Sequence, residues 1–461
     1  MPTVGIIGAG ISGLSAGYRL QQRGVSVRIL EASNQTGGVI QSRSEEGFLV
    51  EQGPNSIRAG SAALESLIDD LDLHGERVWA NDTSDTRYVV RNGTPTALPR
   101  SIRSFLTTDL FSTKAKLRLL AEPFIGRAST DAESVAQFTE RRLGSEVLNY
   151  AVAPFVGGVF AGRPSDLSVQ HAFRRLAALE EEYGSLVIGA IRKALDRSDD
   201  GETQPSGLFS FRDGLQTLPD ALAAALDDSL TLGAPVRGLS RSGPDWQVTV
   251  DPAEGPEHTR AFDALLSTVP LHRLATMTVD TPVDLSALQE VWYPPLSVLA
   301  LGFPRDAIDH PLDGFGMLVP PVEDDLNILG TIFSSSLFPG RTPSDQVLLT
   351  TFVGGARAPD RATTDAASLQ SLVVRDLDRL LGVHGSPTFR HHVHWPNAIP
   401  QYQLGYGAVT DTLDALEAQH PRLAFAGNYR QGVSVGDALT SGIDAADRLT
   451  ERMAERSLQP H

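Results

Sequence analysis

The opening thirty-one residues constrain this chain more than any other feature. Val4-Gly5-Ile6-Ile7 is a short apolar run. It enters Gly8-Ala9-Gly10-Ile11-Ser12-Gly13, continues with helical character from Leu14 to Arg23, and returns to strand character from Val25 to Leu30. Strand, glycine turn, helix, strand is a βαβ unit, whose two strands lie parallel in one sheet with the helix crossing between them. The three glycines have separate jobs: Gly8 permits the tight turn, Gly10 lets backbone approach a pyrophosphate, and Gly13 lets the helix pack on the strand. The free N–H groups of Ile11, Ser12 and Gly13 then face an anionic group. Glu31 ends the second strand, about 20 residues on, where a carboxylate accepts hydrogen bonds from ribose hydroxyls and disfavours a 2′-phosphate. An α/β dinucleotide-binding fold follows.

The residues after Glu31 bear on which dinucleotide. Glu31-Ala32-Ser33-Asn34-Gln35-Thr36-Gly37-Gly38 puts a glycine pair behind the acidic residue, where chain can pass close to an extended ligand. This resembles the FAD-binding signature of the glutathione-reductase-like and amine-oxidase-like flavoproteins, not the continuation usual in NAD dehydrogenases. The C-terminal region repeats the order strand, glycine loop, helix: Leu423 to Gly427, Gly432-Val433-Ser434-Val435-Gly436, then Asp437 to Met453. The resemblance implies that Gly427 and the backbone of Val433, Ser434 and Val435 lie at the flavin, with the positive helix end toward the pyrimidine edge. There is no cysteine. The expected FAD is therefore non-covalent, with no thiol linkage, dithiol relay or Cys-ligated metal.

Between its two ends the chain changes character. Helical patterns run from Ala62 to Leu73 and from Phe111 to Arg197, Ser198 to Ser206 reads as a surface loop, and strands follow at Trp246–Val250, Ala264–Val269, Val298–Phe303, Gly316–Val319, Asn327–Phe333 and Val347–Val353. Asp251 to His258 reads as a turn, and Ala366 to Leu381 as a helix. The net charge of −17 speaks against a nucleic-acid partner. Pro99 to Gly126 breaks that trend, with five basic residues against two acidic ones among Phe105, Leu106, Leu110, Phe111, Leu117, Leu120 and Phe124. Such a stretch ordinarily packs its apolar side inward; the other reading is an amphipathic surface lying on anionic lipid. No apolar run is long enough to span a bilayer, and the start shows neither signal nor transit peptide, so a cytoplasmic protein is expected, peripheral at most on the inner membrane.

Several further segments carry a more specific likeness. Glu51-Gln52-Gly53-Pro54-Asn55-Ser56, Arg87 to Pro95, Pro154 to Gly158, Gly214 to Pro219, Gly314 to Pro320, Thr351 to Gly355 and Gly427 to Gly436 together resemble the oxygen-dependent protoporphyrinogen oxidases, most closely the plant mitochondrial type. The likeness spans essentially the whole chain in order. It implies a Rossmann-type FAD-binding fold, glutathione-reductase/amine-oxidase-like, with an interleaved α+β substrate domain and a helical membrane-binding insertion. Residues 1–85, 207–275 and 395–461 are the expected FAD-binding parts, 86–98 a strand pair and 276–394 the α+β body of the substrate domain, and 99–206 the helical insertion. The implied FAD contacts are Gly8 to Gly13, Glu31, Ala32, Gly37, Gly38, Gly53, Pro54, Asn55, Ser56, Val236, Trp395 and the C-terminal loop. In the implied substrate site Arg87 pairs with a propionate and Leu318 and Phe352 sandwich a pyrrole ring. Ile332 lines the cavity, the Gly158 carbonyl faces the macrocycle, and Asn55 orients the reacting carbon. Substrate, dioxygen and a second copy of the chain are the implied partners.

These types suit a flexible tetrapyrrole with carboxylate arms, which needs an apolar site and a few cationic anchors. Plainer readings exist: Arg87 as the ion-pair partner of Asp82 or Asp85, Leu318, Ile332 and Phe352 as strand core, and Asn55 as a turn residue. His391-His392-Val393-His394 has no third ligand in recognisable spacing, so no metal is expected and the run reads as the strand leading to Trp395. Gln52 and Val39 depart from the residues usual in relatives. Coproporphyrinogen III oxidation, amine oxidation or carotenoid desaturation, and a non-enzymatic dinucleotide module are the alternatives.

Overall fold

The structure, a computed structural model, describes residues 2–126, 132–196 and 207–457. The loop expected at Ser198 to Ser206 lies outside them. The opening strand is Thr3–Ile7 and its helix Ile11–Gln22. The helix starts earlier than Leu14 because the last glycine of the turn is already helical. Thr3–Ile7 is central in a five-stranded parallel sheet ordered Leu230–Thr231, Ser26–Leu30, Thr3–Ile7, Ala264–Ser267, Leu423–Phe425. Ile7 stands opposite Leu30 on one side and Ser267 on the other. Parallel neighbours need crossovers, and these come from regions far apart in the chain, so the sheet closes only when both termini meet.

The closing helix, Val435–Ser457, makes that meeting tight. Ser12 Oγ donates to the Ala438 carbonyl at 2.7 Å and Ser15 Oγ to that of Leu439 at 3.0 Å. A Cβ on Gly442 would stand 2.1 Å from the Ser12 carbonyl oxygen, so this crossing accepts only glycine. Leu14, Leu20, Leu439, Ala446 and Leu449 are buried here, and Arg19 Nε meets Asp447 Oδ1 at 2.8 Å.

A four-stranded sheet sits beside this core in the order His258–Phe262, Asp245–Val250, Val236–Ser242, Thr278–Val279. The strand His258–Phe262 was hidden in the sequence by its polar, exposed residues; it is legible only as the partner of Asp245–Val250. A third, seven-stranded sheet runs Phe389–Trp395, Leu296–Pro304, Gln346–Gly354, Ile328–Phe333, Gly316–Leu318, Arg87–Arg91, Thr94–Ala97. Its only parallel junction joins Arg87–Arg91 to Gly316–Leu318, bringing an early strand onto a late sheet. The helix Ala366–Leu381 buries Leu369, Val373 and Leu377 with Met317, Leu349 and Val353 on one face.

Between these lie short helices, of which Ile102–Thr107, Thr113–Leu120 and Val135–Leu143 are capped by Ser101, Ser112 and Ser134. Fully buried Arg142 ties them together through Glu122 at 3.2 Å and through Glu180. The basic stretch divides. Leu110 and Phe111 are buried, whereas Leu106, Leu117, Leu120 and Phe124 are exposed, Phe124 by 89%. Inward packing thus describes only part of it. Lys116 Nζ is turned to the carbonyls of Leu106 and Thr108, and Arg118 to those of Arg141 and Arg142. Among the described residues no helix is long and apolar enough to cross a membrane.

Candidate active site

A cavity of about 530 Å³ opens at the carboxyl ends of the parallel strands. Gly8, Gly10, Ile11, Ser12, Glu31, Ala32, Gly37, Gly38, Val236 and Gly427 all line it. Gly13 does not line the cavity; it sits behind it, where a Cβ would be 2.0 Å from the Gly8 carbonyl oxygen. At Gly10 a Cβ would meet nothing within 4 Å, so that glycine keeps open a space the protein leaves unfilled. The second glycine pair folds onto the first: Gly37 N–H donates to the Ala9 carbonyl at 2.9 Å, and Gly10 and Gly37 form a parallel bridge. Glu31 Oε2 accepts the Ala9 amide at 2.7 Å and Oε1 accepts from Ser33 N and Oγ, both at 2.9 Å. Oε2, which accepts one hydrogen bond, retains a lone pair. Open space at Gly10, helix-terminal amides and a positioned carboxylate fit a dinucleotide.

The C-terminal wall is set by buried phenols. Tyr402 and Tyr406 hydroxyls donate to the carbonyls of Asn428 and Tyr429, and Tyr429 to that of Ser267 at 3.3 Å. Burial raises all three phenol pKa values, so they remain neutral donors. The start of the closing helix is capped from within. Ser434 caps the helix by accepting the Asp437 amide at 3.1 Å, and its own hydroxyl donates to the Asp437 carboxylate at 2.6 Å. The Ser434 amide also faces that carboxylate, at 3.4 Å, and so is not a free donor. Val433 and Val435 flank it and lie outside the lining of the main cavity.

Gly53, Pro54, Asn55 and Ser56 form a half-buried run. It hangs from the seven-stranded sheet: Trp395 Nε1 donates to the Gln52 carbonyl at 2.8 Å, and the Gln52 amide nitrogen lies 3.2 Å from His391 Nε2. Asn55 Nδ2 turns back to the Gly53 carbonyl at 3.0 Å. Burial first, then the charge of Arg43, lowers the His391 pKa, opposed by Glu45.

Strand register then decides which side chains share the opposite wall. Arg87 pairs with Gly316, Gly316 with Ile332, and Ile332 with Thr350; two residues on, Val89 pairs with Leu318, Leu318 with Gly330, and Gly330 with Phe352. Cross-strand partners point the same way and alternate residues share a face. Arg87, Leu318, Ile332 and Phe352 therefore lie on one face, continued by Val298, Val393 and Trp395. That face is the one opposite buried Met317, Thr331, Thr351 and Val353, and Leu318, Ile332 and Phe352 are only half-buried there. Gly330 stands between Leu318 and Phe352 and puts no side chain between them. Its signal in the sequence was a glycine inside a strand. Gly158, near the end of the helix Ala153–Phe160, packs on Leu318 so closely that a Cβ would be 2.6 Å from Leu318 Cδ2.

Arg87 is not the ion-pair partner of Asp85, which pairs with Arg100. Its guanidinium lies 5.3 Å over the Phe315 ring. Partial burial, then the like charge of Arg58, lowers its pKa. Arg58 was missed because only the fold places it near Arg87. His392 and His394 point away from this wall, flanking Ser297 Oγ at 3.0 and 3.4 Å. Among the described residues no group of three or more His, Asp or Glu is placed to hold a metal.

The family model of flavin-containing amine oxidoreductases matches residues 11–450. The chain is 38% identical to the mitochondrial protoporphyrinogen oxidase of Nicotiana tabacum, with 96% of this chain and 94% of that one covered. It is 27% identical to the coproporphyrinogen III oxidase of Bacillus subtilis, over 96% of this chain and 97% of that one. The structure is similar in fold to a crystal structure of an Exiguobacterium sp. 255-15 protein, with a TM-score of 0.80, 21% identity and 98% and 99% of the two chains covered.

Proposed function

The chain belongs to the flavin-containing amine oxidoreductase family, and from that premise we propose that it oxidises protoporphyrinogen IX to protoporphyrin IX in tetrapyrrole biosynthesis. The observation that carries the reading is the wall on which Arg87, Leu318, Ile332 and Phe352 share one face, with Gly330 between Leu318 and Phe352 and the Leu318 side chain leaning over it. A half-buried apolar wall suits a pyrrole ring, and an arginine free of Asp85 suits a carboxylate arm. The chemistry supplied by bound FAD is two-electron oxidation, with dioxygen as final acceptor and hydrogen peroxide as product.

The chain's own residues bind and orient. Leu318 and Phe352 hold the ring, and Arg87 holds the propionate. Gly158 lies in the last turn of its helix, where carbonyls have no intrahelical donor, and accepts a pyrrole N–H. Asn55, braced on the Gly53 carbonyl and suspended through Gln52 from Trp395, sets the bridge carbon between the two walls. None of Leu318, Ile332, Phe352 or Asn55 titrates, so the pyrrole proton leaves to solvent. Proximity and orientation then provide most of what the protein adds. In this division of labour residues 86–98 and 276–394, helped by Gly158 and Asn55, carry the substrate, and 1–85, 207–275 and 395–461 carry the cofactor.

Coproporphyrinogen III is the second reading, favoured by Arg58 beside Arg87, since extra propionates call for extra cations. The experiment is anaerobic titration of the yellow holoprotein with each porphyrinogen, followed by turnover in air. Faster bleaching and turnover with protoporphyrinogen supports the first reading; faster coproporphyrinogen oxidation replaces it, and a flavin that neither reduces refutes both. Exposed Leu106, Leu117, Leu120 and Phe124, with Arg103 and Lys114 nearby, form the surface through which residues 99–126 rest on anionic lipid. An apolar substrate benefits from that location.

A further inference from the structure

Beyond Glu31 the cofactor cavity has a wall of its own composition. The Ala234 amide donates to the Glu31 carbonyl at 2.8 Å and the Gly233 amide to the Ser33 carbonyl at 2.9 Å, so the strand Val236–Ser242 starts directly past the acidic residue. Gly238 pairs with Thr278, which brings the turn carrying Arg273, Thr276 and Met277 against Pro235, Val236 and Arg237; all six line the cavity. With the pyrophosphate at Gly10 and the ribose at Glu31, the part of the dinucleotide that reaches this wall is its purine.

A purine has two flat faces, and a guanidinium is a plane that can lie on one of them. The two arginines of this wall differ in how they are engaged. Arg237 Nε meets Asp251 Oδ2 at 3.3 Å. Among the described residues no carboxylate pairs with Arg273, and its guanidinium makes no hydrogen bond. Arg273 belongs to the short helix Leu271–Leu274, whose leucines Leu271 and Leu274 are buried while Arg273 is exposed at the cavity. In a chain with 56 acidic against 39 basic residues, an arginine that meets no carboxylate is available to another partner. We propose that Arg273 stacks its guanidinium on the adenine ring of the bound flavin dinucleotide and so anchors the cofactor. The guanidinium is delocalised and weakly hydrated, so it gives up little water to lie on a ring. Apolar Val236 and Met277 beside it suit the same ring.

Because this contact rests on FAD occupying the cavity, affinity is measured on the apoprotein with FAD and with ADP, its adenine half. Arg273→Ala is expected to weaken both roughly 3–10-fold, the loss of one cation–π stack. Melting of the apoprotein should not move, since the side chain is exposed. Two further variants separate plane from charge: Arg273→Tyr, flat and uncharged, should recover most of the ADP affinity, and Arg273→Lys, charged but not flat, should recover less. Unchanged FAD and ADP affinity overturns the proposal, as does a loss that follows apoprotein melting. Full recovery with lysine and none with tyrosine also overturns it, in favour of a charge contact to phosphate. Wild-type apoprotein that binds neither FAD nor ADP overturns the premise instead. Nitrogen-15 NMR of the unmodified protein needs no variant: the Arg273 Nε–H proton should move upfield on adding ADP, as a group over a ring face does, and a downfield shift or none counts against the stack.

Discussion

Replacing Arg87 by alanine isolates the anchor for the substrate's carboxylate. Asp85 is already committed to Arg100, so the Arg87 guanidinium is available, held over Phe315 at 5.3 Å on the sheet face that carries Leu318 and Phe352. A hydrogen bond to a charged group is worth about 1.5–3 kcal/mol, but Arg87 is open to solvent, which screens it to about 1–1.5 kcal/mol. That corresponds to a roughly 5–15-fold loss in kcat/KM, carried mainly by KM because the contact exists in both ground and transition states. Arg87→Lys keeps the charge and loses the planar fork, so it should fall between wild type and Arg87→Ala. The assay is anaerobic flavin reduction against porphyrinogen concentration, with flavin content and thermal melting in parallel. Stability should move by less than about 0.5 kcal/mol, since the side chain is exposed. Flavin content should not change, because Arg87 is not among the residues lining the cofactor cavity. Unaltered kcat/KM for both porphyrinogens, or a loss that tracks flavin content instead, would refute the reasoning.

The same geometry makes other measurements informative. Arg58→Ala should raise KM for coproporphyrinogen more than for protoporphyrinogen, and equal effects on the two would remove Arg58 from substrate selection. Gly10→Val should yield a folded but colourless protein, because its side chain meets only open space, whereas Gly13→Val should fail to fold, its Cβ being 2.0 Å from the Gly8 carbonyl oxygen; soluble expression and the ratio of flavin to protein absorbance separate them. Leu120→Glu with Phe124→Glu should cut cosedimentation with anionic vesicles at least about tenfold, from the apolar burial lost, and unchanged sedimentation would dispose of the lipid contact. The His272 pKa, lowered from 6.5 to about 4, means the folded state binds its proton less readily than the unfolded one. Stability from the neutral ring is therefore present above pH 6.5 and falls as pH drops toward 4. Thermal melting of His272→Gln should show a shallower decline over that interval, and an identical slope would contradict it.

Much of the cofactor half was legible in the sequence because its information is local. The turn Gly8 to Gly13 and Glu31 lie within one βαβ unit, and backbone geometry ties each residue type to its place regardless of what surrounds the unit. The closing strand and helix were legible for the same reason, although the length of the helix was not, since Val435–Ser457 extends at both ends where packing and capping support it. The substrate half was legible only through family resemblance. Alternation along a strand assigns residues to two faces without saying which face is which, and polar His258–Phe262 does not even announce itself as a strand. Tertiary structure alone decided that Arg87–Arg91 joins Gly316–Leu318 in parallel, that Gly330 falls between Leu318 and Phe352, and that Asp85 takes Arg100 and leaves Arg87 free. It alone placed Asp437 against Ser434. The physical reason is common to these cases. A glycine's allowed dihedrals belong to the residue, whereas register and ion-pair choice are set by competition among partners that sequence separation conceals and folding brings together.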